Sequence, residues 1–166
     1  MKRLLSATTI AVVAALTLAG CGSTSTSSSA GTFNDADVTF ARSMIPHHQQ
    51  AVQMAQMAKT HASTTEVKQL ADTIEAAQGP EIATMTGWLK AWGKPLPSGS
   101  DMSGHDMGSM SGDMPGMMSD GEMKKLDVAT GAEFDQMFLT MMIKHHTGAI
   151  EMAKTEQSDG KNPDAV

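Results

Sequence analysis

The chain has 166 residues, a formal net charge of −6, 16 Met, one Cys and no Tyr. An acidic chain argues against nucleic acid as a partner, and against holding an anionic lipid surface by basic charge. A single cysteine excludes a disulfide within the chain, and with only four Phe and two Trp the core falls to Ala, Leu, Ile, Val and Met.

Lys2 and Arg3 precede an apolar run over residues 4–18 that is too short to make a good spanning helix. It ends in Leu18-Ala19-Gly20-Cys21, which resembles a bacterial lipobox. The expectation is a lipoprotein signal peptide over 1–20, cleavage before Cys21 and lipidation of its thiol. The protein is then exported and lipid-anchored on the outer face of the cell membrane. The alternative is an ordinary secretory peptide with an incidental cysteine. Loss of Lys2 and Arg3 leaves 10 basic against 18 acidic residues, a charge of −8. Residues 21–32 are Ser/Thr-rich and apolar-poor, a tether that cannot bury enough to order itself. Residues 33–166 form the folded domain.

A first helix is predicted from Asn34 or Asp35, with Phe40, Met44, His47, Ala51, Met54 and Ala58 on one face. Pro46 should kink or restart it. After cap residues at 63–65, a second helix carries Val67, Leu70, Ala71, Ile74, Ile82, Met85, Leu89 and Trp92. Gly79-Pro80 predicts a bend, and Gly93 and Pro95 a stop. Residues 95–121 read as a Met/Gly/Ser-rich linker between two repeats. Thr130-Gly131-Ala132-Glu133 reads as a capping box for a third helix through Phe134, Phe138, Met142, His145 and Met152, ending near Gln157. Asn162-Pro163 looks like the start of a fourth helix, apparently truncated at Val166. Three helices would leave an apolar face uncovered, which costs stability or drives association into a homo-oligomer.

One stretch occurs twice. Met44-Ile45-Pro46-His47-His48-Gln49-Gln50-Ala51-Val52-Gln53-Met54-Ala55 returns as Met142-Ile143-Lys144-His145-His146-Thr147-Gly148-Ala149-Ile150-Glu151-Met152-Ala153 at an offset of 98 residues, seven of twelve positions identical. Asp37 and Phe40 meet Asp135 and Phe138 at the same offset, so the duplicated segment implies a duplicated structural unit. Met and His three apart share a helix face, as in Met44/His47 and Met142/His145; Met102/His105 has the same spacing in the linker. Met54 and Met152 lie two turns along the faces of His47 and His145. Thioether sulfur is soft and imidazole borderline, which suits Cu(I) and Ag(I) far better than Mg²⁺ or Ca²⁺.

The candidate metal ligands are therefore His47, His48, His145 and His146 with Met44, Met54, Met142 and Met152. A secondary set is Met102, His105, Met107, Met110, Met114, Met117 and Met118 of the linker, whose polar background argues that its methionines are not core. The plain alternatives are satisfied core histidines, methionine as core filler, and an unstructured linker. The Glu-x-x-His motifs of a di-iron site and the His-Glu-x-x-His of a zinc hydrolase are absent, and no nucleophile motif is present, so no enzymatic activity is expected.

Residues 40–55, 76–89 and 138–153, with their paired histidines, resemble the secreted bacterial domain-of-unknown-function family numbered 305. The resemblance implies a ferritin-like, all-α bundle of two repeated helical hairpins, an exported protein, and an association with copper binding and copper tolerance. It carries over His47, His48, His145 and His146. The expected function is an exported, membrane-anchored copper-binding protein for sequestration, tolerance or transfer. The competing readings are a ferritin-like metal oxidase using the histidine pairs with Glu151 and Asp135, and a metal-free structural module.

Overall fold

The computed structural model describes residues 31–97 and 114–166; the expected signal peptide, most of the expected tether including Cys21, and Met102, His105, Met107 and Met110 lie outside them. Four helices follow in order: α1 (Asp35–His61), α2 (Thr65–Ala91), α3 (Asp120–Val128) and α4 (Gly131–Asp159). Among the described residues, none of the helices is long and apolar enough to cross a membrane.

Asn34 caps α1 in a reciprocal box with Asp37, and Thr64 caps α2 through Val67 N–H. Both helices run unbroken through a proline, Pro46 and Pro80, so the restart expected at Pro46 does not occur. α1 packs chiefly on α2 and next on α4, so each proline is held inside a long packed helix. α2 ends at Ala91 with Trp92 as its cap, and Gly93 takes the left-handed conformation (φ 65°) that favours glycine.

The stretch assigned to the linker needs correction at its far end. Residues 120–128 form α3, capped by a Ser119–Glu122 box. The helix buries only Leu126, so it has no apolar stripe to betray it in sequence. Met117 and Met118 are buried, and Met118 belongs to the core, against the expectation that the linker methionines stay outside it. The Thr130 box is also absent: its side chain makes no capping bond, and Gly131 enters α4 at φ 66° beside an isolated backbone bridge to Ala62.

The core falls into two apolar clusters. One holds Ala51, Met54 and Ala58 of α1 with Phe134, Phe138 and Met142 of α4. The other holds Ala41, Met44 and Ile45 of α1 with Met85 and Leu89 of α2, and Ala149 and Met152 of α4 pack against it. α1 thus passes from the second cluster to the first while α4 passes from the first to the second. The two copies of the repeat run antiparallel and exchange environments: Met44 shares a cluster with Met152, and Met54 with Met142.

Two matching clasps lock this crossing. Asp135 accepts from Ser63 N–H (3.0 Å), Ser63 Oγ (2.6 Å) and Thr64 N–H (3.1 Å). Asp37 accepts from Lys161 N–H (3.0 Å) and Asn162 N–H (2.8 Å), the residues that the 98-residue offset makes equivalent to Ser63 and Thr64. Hydrogen bonds from Ser63 and Thr64 outweigh desolvation and hold the Asp135 carboxyl below its usual range. Burial alone would raise Asp37, but donors at Asn162, Asn34, Glu156 and Lys161 hold it down. Asn162 opens a helical turn, accepting from Asp164, Ala165 and Val166 N–H, as Thr64 opens α2. The α4 face that corresponds to the α2-covered side of α1 exposes Ile143 and Ile150.

The clasps differ in one residue. Glu156, 2% exposed, faces Asp37 where the equivalent position 58 is alanine. As a carboxylate it would have no donor; as an acid its hydroxyl can donate to Asp37. Burial first, and then Asp37, push its pKa from 4.5 up to about 7. A raised acid contributes stability that is complete below the ordinary value and is lost as pH rises through the raised one. Glu156→Gln should therefore remove a decline in melting temperature between about pH 4.5 and about pH 7. The wild-type-minus-variant difference across that window is the readout.

Candidate metal centre

The two repeats cross at their histidines. His47 is 0% and His145 1% exposed, and their rings lie 3.6 Å apart between centroids, tilted by 35°. His48 and His146 flank them, with centroids 6.5 Å from His47 and 6.0 Å from His145. A cavity of about 280 Å³ opens here, lined among others by the four histidines with Gln78 and Glu81 of α2.

Hydrogen bonds fix the tautomer of three rings. A carbonyl or ionised carboxylate only accepts, so the ring nitrogen facing it carries the proton and the other keeps its lone pair. His47 Nε2–H donates to Pro115 O (3.1 Å), which leaves Nδ1 free. His48 Nε2–H donates to Glu81 Oε2 (2.7 Å), again leaving Nδ1. His146 Nδ1–H donates to Met142 O (2.8 Å), which leaves Nε2. The Nδ1 atoms of His47 and His48 and both nitrogens of His145 are buried with no protein partner. Burial holds the inner rings neutral, His47 down to about 4 and His145 to about 3, and also lowers His48 against the pull of Glu81. Neutral imidazoles with buried, unpartnered lone pairs fit a metal ion, since each such atom otherwise costs about 1–3 kcal/mol. Among the described residues, no three His, Cys, Asp or Glu side chains already converge on one point, so an ion would draw the rings together.

The sequence-predicted residues divide. All four histidines reach the cavity. Met44, Met54, Met142 and Met152 stand in the apolar clusters on either side and do not line it. Of the linker set, Met114 is half-buried, and Met117 and Met118 are buried. Asp135, a candidate in the oxidase reading, is occupied by its clasp, and Glu151 is exposed and does not line the cavity.

Sequence reasoning missed a strap over the site. Gln50 brackets Met118, donating to its O (2.8 Å) and accepting from its N–H (2.7 Å). Gly148, the offset equivalent of Gln50, lets the strap cross α4: a Cβ there would lie 2.0 Å from Pro115 O. Gly116, at φ 79°, faces α4 from the other side, where an added Cβ would lie 2.7 Å from Lys144 O. The available signal was the break in the repeat at Gln50/Gly148.

A helical bundle whose two repeats cross at paired histidines defines the class. The chain belongs to the family described as domain of unknown function 305 (DUF305), whose family model matches residues 37–166. It is similar to a DUF305 protein from Streptomyces coelicolor, described as secreted, at 39% identity over 73% of this chain and 71% of that one (TM-score 0.62). A DUF305 fragment from Deinococcus radiodurans matches at 26% identity over 81% and 83% (TM-score 0.68). The Cu(II)-bound form of CopM matches at 33% identity over 78% and 80% (TM-score 0.62), and CopM has also been solved in Cu(I)-bound and Ag-bound forms. No curated protein is significantly similar to the chain.

Gly148→Ala should cost about 1–3 kcal/mol in urea denaturation, because strap or helix must move. Gly87→Ala, with nothing within 4 Å of the added carbon, should instead stabilise by about 0.5–1 kcal/mol.

Proposed function

We propose that this protein binds copper as Cu(I), and Ag(I) by the same softness, at the crossing of its two repeats, and serves in metal sequestration, tolerance or transfer outside the cytoplasm. The observation that carries this reading is the set of buried, unpartnered imidazole nitrogens on His47, His48 and His145, at a cavity that His146 also lines. The metal-bound forms of CopM support it. His47 and His48 would offer Nδ1 and His146 Nε2. The thioethers of Met44, Met54, Met142 and Met152 lie in the layers next to the ion. The 102–118 segment, with Met102, His105, Met107, Met110 and Met114, would capture ions at lower affinity and deliver them to the strap. Cys21, lipidated, would anchor the protein at the outer face of the membrane.

Anaerobic competition titration with Cu(I) tests this. The wild-type domain should show one tight class of site. Replacing all four histidines by alanine should weaken it roughly a hundredfold or more, given that even residues behind metal ligands contribute 10–100-fold. His48→Ala/His146→Ala, which spares the buried ring pair, should show most of that loss with the fold intact by circular dichroism. Unchanged affinity in both variants would contradict the reading.

A further inference from the structure

α2 brings two oxygen groups to the histidine cavity, and neither belongs to the repeated motif. Gln78 is 7% exposed and lines the cavity, yet its Oε1 has no donor. Glu81, four helix positions from Ala77 and three from Gln78, bonds His48 Nε2 and leaves His48 Nδ1 buried and unpartnered. Among the described residues, no thioether lines the cavity. The side chains that do offer nitrogen and oxygen, the donor types that Cu(II) accepts in tetragonal geometry, whereas Cu(I) is satisfied by fewer and softer ligands.

We propose that Gln78 and Glu81 make the histidine pocket a site for Cu(II) as well as Cu(I): Gln78 Oε1 is a direct donor to the divalent ion, and Glu81 is a positioning residue that holds His48 with Nδ1 inward and adds negative charge. The proposal rests on the copper reading above and, beside the Cu(II)-bound form of CopM, adds the residues of this chain that favour the divalent ion. Among the described residues, Gln78 Oε1 is the amide oxygen of the cavity in need of a positive partner. A carboxylate behind a ligating imidazole fixes its tautomer and raises its basicity, an arrangement that recurs at metal sites. Extra negative charge favours a doubly over a singly charged ion. Each effect strengthens Cu(II) more than Cu(I) or Ag(I).

The test compares Cu(II) with Ag(I), a redox-inert stand-in for Cu(I), by competition titration of the full mature chain, with electron paramagnetic resonance of the Cu(II) form. Gln78→Leu and Glu81→Ala should each weaken Cu(II) roughly tenfold or more and leave Ag(I) within about threefold. Gln78→Glu should move the other way and tighten Cu(II). Gln78→Leu should also shift the resonance parameters towards fewer oxygen donors. Equal losses for both ions, or unchanged Cu(II) affinity with an unchanged spectrum, would overturn the proposal. Wild-type binding of Ag(I) without Cu(II) would overturn it and leave the copper(I) reading standing. Binding of neither ion would overturn both.

Discussion

The contact between His47 and His145 is the constraint on which the bundle depends. Two imidazoles 3.6 Å apart at the centre of an antiparallel helix pair must both be neutral, because a charged ring there would lose its water and face another ring. Burial enforces that neutrality. The apolar clusters on either side supply the burial, and the Asp37 and Asp135 clasps hold the helix ends so that the rings stay opposed. The cost is a set of buried nitrogens with no protein partner. A core built only for stability would place apolar side chains here; in the proposed copper reading, the unmet lone pairs would hold a cation.

The flanking rings differ, although the repeat makes them equivalent. His48 is tied to Glu81 on α2, while His146 is exposed and turned back on its own helix through Met142 O. The strap adds a second asymmetry, since Pro115 O engages His47 but nothing matches it at His145. One side of the centre is thus braced by α2 and the strap, and the other is open at His146. CopM, a relative of similar fold, has been solved with copper and with silver; in this chain the oxygen groups of Gln78 and Glu81 gather on the braced side.

The periodicity and the 98-residue offset made much of this visible beforehand. They placed α1, α2 and α4, paired the histidines, and marked Asp37 and Asp135 as equivalents, because duplicated sequence must repeat its local environment. The clasps themselves were hidden, since each carboxylate bonds backbone N–H groups more than 70 residues away and such bonds leave no pattern. α3 was hidden by its lack of an apolar face, and Met118 by its polar neighbours, whose composition said nothing of the bracket from Gln50. The methionine ligand set was drawn from spacing along one helix. Spacing gives a shared face but not a shared depth, and Met54 and Met152 stand two turns from the rings, in the apolar layers.

The most direct measurement is nitrogen-15 magnetic resonance of the imidazoles, before and after one equivalent of Ag(I). Without metal, His47 and His48 should carry their proton on Nε2 and His146 on Nδ1. With metal, the large shifts should fall on Nδ1 of His47 and His48 and on Nε2 of His146. Shifts confined to methionine methyl groups, with the four rings unmoved, would contradict a histidine-centred metal site.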